Sequence, residues 1–225
     1  MTEATDPLAL EVVGAPPSTD GRVARRDRNK LAVLDAAIEL FTEGNLEPGP
    51  DEVAARAGLS PRSVYRYFDD SDALLRAAID RHLERVMPVT RIHAIGEGTL
   101  AERIERFAAA RVRLYEAIAS SARASRRRAV TNTIIAEQVQ LTVRGLSEQI
   151  DLQFAPELRR LPARRRRMLS AAADALCQLE TLDYYTLQLG LSASAIRSVL
   201  VDALHRLFDP TLAIDPDPSG SSTRS

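Results

Sequence analysis

The sequence predicts an all-α protein, and two observations lead to that prediction. Apolar residues recur at the three- and four-residue spacing of helices through most of the chain, without the alternation that is typical of strands. The 225 residues include only 10 glycines, and the helix-favouring residues alanine, leucine, arginine and glutamate dominate the composition. We expect about nine helices, divided between a three-helix amino-terminal domain and a larger carboxy-terminal helical bundle.

The first thirty residues divide into a polar tail and a basic arm. Residues 1–20 are rich in proline and small polar residues and lack apolar periodicity, so we expect them to be disordered. Residues 21–30, the basic arm, contain one acid and five cations. These cations are Arg22, Arg25, Arg26, Arg28 and Lys30. The arm directly precedes the first predicted helix, Asn29–Glu43, which ends at Gly44.

Two short helices joined by a turn are predicted next. The first opens with Pro50, whose fixed φ suits the first helical position, and the acids Asp51 and Glu52 favour a helix amino terminus. It ends at Gly58. Within this helix, Val53, Ala54 and Ala57 form one small apolar face, so the helix can pack closely on a neighbour.

The second of these helices is predicted to begin at Pro61, after a capping Ser60, and to bury Val64 and Phe68. Its outer side carries residue types that suit DNA, since arginine can bind guanine with two hydrogen bonds and serine and tyrosine can reach phosphates or base edges. A helix of this length also fits the major groove, and the pair forms a helix-turn-helix. The predicted contacts here are Ser60, Pro61, Arg62, Ser63, Tyr65, Arg66 and Tyr67.

A further helix is predicted over residues 73–87, capped by the acidic string of residues 69–72 and ended by Pro88. With it, the order AIELF, DEVAARAGLSPRSVYRYF and SDALLRAAID resembles the DNA-binding domain of the TetR (tetracycline-repressor-like) family of transcriptional regulators, over about residues 29–80. The resemblance implies a homodimer that binds a palindromic operator in double-stranded DNA. It also implies a repressor that leaves its operator when a small-molecule effector enters the carboxy-terminal bundle.

The chain departs from the family pattern at two phosphate contacts. The family commonly has threonine near the start of the second helix and lysine near the start of the fourth, where this chain has Gly49-Pro50 and three acids in residues 69–72. Acids that face phosphate would repel it, so we expect backbone amides at the helix start, or the arm, to bind phosphate instead. Two interpretations of the arm stay open: a DNA-binding extension that includes Arg25, Arg26 and Arg28, or a solvated tail.

The carboxy-terminal part is predicted to be purely helical. Helices are expected from Leu100 to Ile118, over a short arginine-rich piece Arg123–Val130, from Asn132 to about Phe154, and over residues 163–189 and 192–208. The last two helices join tightly through Gly190 as an antiparallel hairpin. The predicted domains are residues 21–70 for DNA binding and 71–210 for ligand binding and dimerisation, followed by a disordered tail, 211–225.

The final hairpin has two apolar stripes that a single subunit is not expected to cover. In the resembling family the last two helices pair with their copies, which implies a four-helix dimer interface. Its predicted residues are Leu176, Leu179, Leu182, Ile196, Val199, Leu200, Ala203 and Leu207.

A ligand pocket and an anion site are weaker predictions, each with a plain alternative. An apolar stripe suits a lipophilic effector but equally suits ordinary core. It consists of Phe107, Tyr115, Ile135, Val139, Leu146 and Tyr184. Arginines in the piece Arg123–Arg128 and in the run Arg164–Arg167 suit either an anionic headgroup or a solvated face.

Several function classes lack sequence support. Convergent acids, a nucleophile with its base and metal-spaced ligands are missing, so we expect no enzyme, no metal and no cofactor; His82, His93 and His205 are far apart. The single Cys177 is expected to be a buried hydrophobe. Without an 18-residue apolar run or a signal peptide, we expect a soluble, cytoplasmic protein that does not bind membranes.

One rival function stays open, although the net charge of −1 neither supports nor excludes DNA binding. A helical protein-interaction module could keep the helix-turn-helix only as a scaffold, and the acids of residues 69–72 would suit it. Salt-dependent retention on duplex DNA discriminates between the two functions.

Overall fold

The computed structural model describes residues 21–209, apart from the side chain of Arg22. The all-α prediction is confirmed, and no strand occurs in this part of the chain. The described helices are α1 (Gly21–Glu43), α2 (Pro50–Arg56), α3 (Pro61–Tyr67), α4 (Ser71–Thr90), α5 (Leu100–Ala129), α6 (Thr133–Gln153), α7 (Ala155–Leu158), α8 (Ala163–Cys177), α9 (Leu179–Asp183), the π-helix π1 (Tyr184–Gln188) and α10 (Ala193–Phe208). The two predicted disordered tails lie outside the described residues.

The chain folds into two compact units. Among the described residues, the amino-terminal unit contains 21–91 together with 113–146, and the carboxy-terminal unit contains 92–112 together with 147–209. The helices α5 and α6 each contribute residues to both units. Within residues 21–209, no helix is long and apolar enough to cross a membrane.

The core of the amino-terminal unit explains how α1 to α4 assemble. Small and branched apolar side chains from all four helices meet there, and Val33, Val53 and Ala54 are completely buried. Val64 from α3 joins them, which fixes the side of α3 that faces inward. Small residues allow these short helices to approach closely, so a few turns of helix are enough to bury a continuous core.

The basic arm is part of α1, so the prediction of a separate extension is wrong. The first helix starts at Gly21 rather than Asn29. No glycine or proline follows before Gly44, and alanine and arginine favour helices, so nothing in this stretch interrupts the helical backbone. The arginines of the arm therefore lie on the first two turns of a rigid helix.

Three other predicted helix boundaries are also wrong. Pro88 lies inside α4, near its end, where a proline removes only one backbone hydrogen bond. The arginine-rich piece of residues 123–130 continues α5 without a break, since no helix breaker precedes it. The predicted helix over residues 163–189 breaks at Gln178, whose backbone is extended, and the Thr181 hydroxyl donates to the Ala175 carbonyl across the break.

Aromatic stacking organises the core of the carboxy-terminal unit. Phe154 lies against Phe208 with ring centroids 4.3 Å apart, and it meets the edge of Phe107 at 5.4 Å. The buried amide of Gln153 accepts a hydrogen bond from the Gly96 N–H at 3.0 Å and donates to the Arg103 carbonyl at 2.7 Å. These contacts join the loop before α5 to the end of α6.

An ion-pair cluster between α1 and α4 gives the amino-terminal unit a predictable pH dependence. Asp35 accepts from Arg81 Nε at 3.1 Å and lies 2.6 Å from Arg85 Nη2. Burial tends to raise the pKa of Asp35, but the hydrogen bonds and charges of Arg81 and Arg85 outweigh it and lower the pKa. The stabilisation that the ionised Asp35 gives the folded state is therefore complete above the unfolded-state pKa of an aspartate, about 3.9. It is lost as the pH falls through the lower folded-state pKa of Asp35.

We expect Asp35→Asn to reduce the free energy of unfolding by about 1 kcal/mol at pH 7, because it removes a half-buried, doubly bonded carboxylate. Chemical unfolding of the full chain at pH 7 and at successively lower pH measures this. The free energies of unfolding of the two proteins should converge as the pH falls through the lowered folded-state pKa of Asp35. Asp80→Asn on the exposed face of α4 is the control, and an equal effect of both substitutions would contradict the assignment.

Candidate nucleic-acid interface

The turn between α2 and α3 is fixed by local hydrogen bonds. Glu52 accepts from the Gly49 N–H at 2.9 Å and from the Asn45 amide at 3.1 Å, which holds the start of α2. Gly58 has φ of +67°, a conformation that favours glycine, and the Leu59 N–H donates to the Ala54 carbonyl at 2.9 Å. The predicted turn at Gly58 is confirmed, and it sets the direction in which α3 leaves α2.

The orientation of α3 agrees with the predicted division into an inner and an outer side. Val64 is 2% exposed and Phe68 is 6% exposed, whereas Tyr65 is 60% exposed. Of the other predicted contacts, Ser60, Pro61, Arg62 and Arg66 are exposed, and Ser63 and Tyr67 are half-buried. The structure therefore presents a polar and aromatic surface of seven residues, and their contact with DNA stays a prediction.

The sequence predicts that the Ser60 side chain caps α3. Ser60 does occupy the position before α3, but its side chain forms no capping hydrogen bond. Its hydroxyl forms a hydrogen bond with the Ser63 hydroxyl at 3.0 Å instead. Pro61 removes one of the N–H groups that would otherwise need a partner. Both serine hydroxyls therefore remain beside each other at the start of α3, next to Arg62.

The two arginines of α3 differ in their surroundings. Arg62 is exposed and has no hydrogen bond or ion pair with any other described residue. Arg66 folds along its own helix, where Nη2 donates to the Tyr67 hydroxyl at 2.9 Å and the guanidinium carbon lies 5.0 Å from the Tyr67 ring centroid. Arg62 is therefore the arginine that is available to reach a base edge without breaking an existing contact.

Residues from α1 meet the end of α3 around the Tyr67 hydroxyl. Burial tends to raise the pKa of Tyr67, but hydrogen bonds from Arg66 and Asn29 and the charges of Arg66 and Arg26 outweigh it and lower the pKa. The Lys30 ammonium lies 5.5 Å from the centroid of the Phe68 ring. Sequence reasoning missed Asn29 and left Lys30 unassigned, although their spacing from Arg26 places all three on one helix face.

The acids before α4 have a structural role that the sequence only partly indicates. Asp70 accepts from the Ala73 N–H at 2.7 Å, which is a standard amino-terminal cap. Asp69 and Asp72 are exposed. One of the three acids is therefore engaged with its own helix backbone.

Three residues of the predicted dimer interface belong to the core of the chain itself. Leu182 and Ile196 are each 3% exposed and Leu200 is completely buried. The expectation that one subunit cannot cover both stripes is therefore wrong for these residues, because α10 turns this side towards neighbouring helices. Leu179 and Val199 are half-buried.

The remaining three predicted interface residues lie on an open concave surface between α8 and α10, which we call the α8–α10 groove. Its lining is almost entirely apolar and encloses about 700 Å³. It is lined by Ala172, Ala175, Leu176, Thr181, Ala203, Arg206 and Leu207. Leu176, Ala203 and Leu207 are thus placed together at a surface, and sequence reasoning missed Ala172 and Ala175, which are too small to mark an apolar stripe.

The predicted pocket residues fall into both units. In the carboxy-terminal unit, Phe107 is packed core beneath the Arg111 guanidinium at 4.5 Å, whereas Tyr184 is 53% exposed, against the expectation that it lines a cavity. In the amino-terminal unit, Tyr115 and Ile135 are buried and Val139 and Leu146 are half-buried. The Tyr115 hydroxyl accepts from Arg123 Nη2 at 3.2 Å.

The arginine-rich end of α5 contacts the loop between α1 and α2. Arg128 Nη2 lies 2.6 Å from a Glu47 carboxylate oxygen, and the Ser120 hydroxyl donates to the Thr42 carbonyl at 3.0 Å. Arg123 and Arg128 therefore make contacts within the protein. In the run Arg164–Arg167 at the start of α8, three of the four side chains are exposed.

Cys177 is half-buried and packs against the core of the carboxy-terminal unit, which agrees in part with its predicted role as a buried hydrophobe. Burial raises the pKa of its thiol to about 12, although the charge of Arg111 opposes the shift. The thiolate, which is the reactive form, is therefore scarce at neutral pH. Within residues 21–209, no group of three or more histidine, cysteine or acidic side chains is arranged to hold a metal ion.

Comparison with known proteins agrees with this geometry. Residues 33–78, which include the second half of α1, all of α2 and α3 and the start of α4, match the family described as bacterial regulatory proteins, tetR family. This region belongs to the TetR family. The helix-turn-helix is the DNA-binding domain of that family, and the sequence-based resemblance is confirmed.

Individual curated relatives match over only part of the chain. Two uncharacterized HTH-type transcriptional regulators from strains of Mycobacterium tuberculosis are each 42% identical over 72 residues, which is 30% of this chain and 35% of theirs. The HTH-type transcriptional repressor KstR of Mycolicibacterium smegmatis is 34% identical over 85 residues, which is 37% of this chain and 41% of the repressor. The match thus spans well under half the length of these curated relatives.

The fold likeness extends further than the sequence likeness. A crystal structure described as a TetR-family transcriptional regulator from Rhodococcus sp. superimposes with a TM-score of 0.57 at 21% identity. The superposition covers 81% of this chain and 99% of the other. The carboxy-terminal helices therefore follow a TetR-like fold although their sequence has diverged.

Proposed function

We propose that this chain is a homodimeric, sequence-specific regulator of transcription that represses genes from a palindromic operator and dissociates when a small molecule binds. The observation that carries the proposal is the outer side of α3, where the exposed Arg62 has no partner among the described residues. Serine and tyrosine side chains flank this arginine on a helix that a buried core holds in place. Such a surface fits the major groove of DNA.

In this proposal the two subunits dimerise through the α8–α10 groove, which would allow them to bind both halves of an operator. Regulators of this family are typically dimeric, and an isologous dimer uses the same surface patch on both subunits, for which the apolar surface between α8 and α10 is a candidate. A second copy of α8 and α10 would cover Ala175, Leu176 and Ala203. Two α3 helices could then enter successive major grooves, about 34 Å apart.

The proposed effector is a small lipophilic molecule that binds in the helices following α4. The support is the apolar character of Tyr115, Ile135, Val139 and Leu146, which α5 and α6 place in one unit. Residues 21–70 would bind DNA and residues 71–210 would bind the effector and the partner subunit, in the cytoplasm. The repressor activity parallels the name of the M. smegmatis relative.

Selection of duplexes from a random pool by the full-length chain tests the proposal. We expect enrichment of a palindrome with two half-sites about one helical turn apart, and an affinity that falls steeply with salt. The scaffold-only alternative predicts no enriched sequence and no salt-dependent retention on duplex DNA. That result would overturn the proposed function.

A further inference from the structure

TetR-family domains commonly bind phosphate through a threonine and a lysine that this chain lacks, so another group of residues must supply those contacts if it binds DNA. The start of α2 has Gly49-Pro50 in place of threonine, and the start of α4 has Asp70 bound to its own backbone in place of lysine. Neither position offers a cationic side chain. Exposed cations occur on α1, at Arg26 and Lys30, and at the end of α3, at Arg66.

Four side chains converge at the point where α1 passes the end of α3. Arg66 donates to the Tyr67 hydroxyl at 2.9 Å, the Asn29 side chain is hydrogen-bonded to the same hydroxyl, and Arg26 is close enough to affect its ionisation. Arg26 and Arg66 are exposed and carry two positive charges at this point. Lys30, one turn after Arg26, adds a third charge near Phe68.

The hydrogen-bonding capacity of Tyr67 indicates what this cluster would bind. A phenolic hydroxyl has one donor hydrogen and two acceptor lone pairs. Because Arg66 and Asn29 both donate to the oxygen, the hydroxyl hydrogen remains available to a further acceptor. Arginine and lysine side chains are donors only, so the cluster as a whole suits a ligand that accepts hydrogen bonds and carries negative charge.

We propose that Arg26, Asn29, Arg66 and Tyr67 form a binding site for one backbone phosphate of DNA, in place of the threonine and lysine contacts of the family. This inference rests on the proposed DNA-binding function. A phosphate rather than a base is the ligand, because three positive charges lie at this point and the phosphates are the charged groups of DNA, whereas the bases are neutral. Tyr67 positions Arg66 and Asn29, and it also donates to the phosphate.

Methylphosphonate substitution of single phosphates tests the site directly, since it removes one negative charge without changing the base sequence. The full-length wild type should be weakened by a neutral linkage at one position in each half-site. Arg26→Gln and Tyr67→Phe should each bind the unmodified duplex about tenfold more weakly and lose sensitivity to that linkage. Arg26→Gln should also reduce the slope of log K against log salt by about 0.9.

Arg28→Gln is the matched control, because it removes the same charge from the opposite face of α1. We expect it to keep full sensitivity at the identified linkage, and equal losses from Arg26→Gln and Arg28→Gln would overturn the proposal. The loss of DNA-binding free energy in the double variant Tyr67→Phe/Arg66→Gln should be clearly smaller than the sum of the two single losses. Additive effects, or unchanged linkage sensitivity in Tyr67→Phe, would show that Tyr67 does not act with Arg66 on a phosphate.

Measurements on an unselected duplex separate this proposal from the proposed function. Phosphate contacts do not depend on sequence, so the Arg26→Gln change in salt slope should appear on any duplex. If the wild type showed no sequence preference, the regulator function would be refuted. The salt slopes of wild type and Arg26→Gln could still be compared, so the phosphate site would still be tested. An unchanged slope in a sequence-specific protein would refute the phosphate site alone. Thermal unfolding of each variant confirms that it is folded.

Discussion

Ala175→Glu is expected to convert a dimeric protein into a monomer and to lower operator affinity by about 10²- to 10⁴-fold. Ala175 is exposed in the single chain and lines the α8–α10 groove, so the glutamate does not disturb the core of one subunit. In the dimer it would bury a carboxylate in an almost wholly apolar surface. The affinity falls because a monomer binds one half-site only, whereas a dimer binds both half-sites together and gains affinity by a factor of this size.

Light scattering coupled to size exclusion, followed by gel-shift titration on the selected palindrome, measures both effects. Ser198→Glu adds the same charge to the exposed face of α10 that points away from the groove, and it should remain dimeric. Leu200→Glu is unsuitable as an interface test, because Leu200 is completely buried and its replacement would unfold the chain. A dimeric Ala175→Glu protein with normal affinity would place the interface elsewhere.

Arg62→Ala is expected to cost about 1 to 3 kcal/mol of operator binding and to relax the preference at one base pair in each half-site. Arg62 is at the amino-terminal end of α3 and forms no hydrogen bond or ion pair with another described residue that its removal would disturb. Its loss should therefore change DNA recognition without changing stability. Gel-shift titrations on operators altered at single base pairs measure the change in preference.

Two substitutions serve as controls for Arg62. Arg62→Lys keeps the charge but loses the two parallel hydrogen bonds, so it should retain part of the affinity and lose most of the base preference. Arg66→Ala should weaken binding to all sequences by a similar factor, since Arg66 is directed to Tyr67 and the proposed phosphate. Undiminished preference in Arg62→Ala would show that another residue reads the base.

The sequence by itself determined the helix-turn-helix, because short-range chemistry decides that motif. Pro50 and Pro61 suit helix starts, Gly58 takes a positive φ, and Val64 alternates with exposed neighbours on the same helix. Each of these effects acts within one turn of helix, so it is visible in a stretch of about twenty residues. The same local rules indicated which side of α3 faces outward.

The tertiary structure alone decided which apolar residues are covered and which polar side chains meet. The sequence assigned Leu200 to the interface and missed Ala175, but the packing of α8 and α10 buries the first and exposes the second. Asn29 and Tyr67 are 38 positions apart and become neighbours only when α1 crosses the end of α3. Helical periodicity predicts that one face of a helix is apolar. Which helix packs against that face depends on contacts between residues that are distant in the chain.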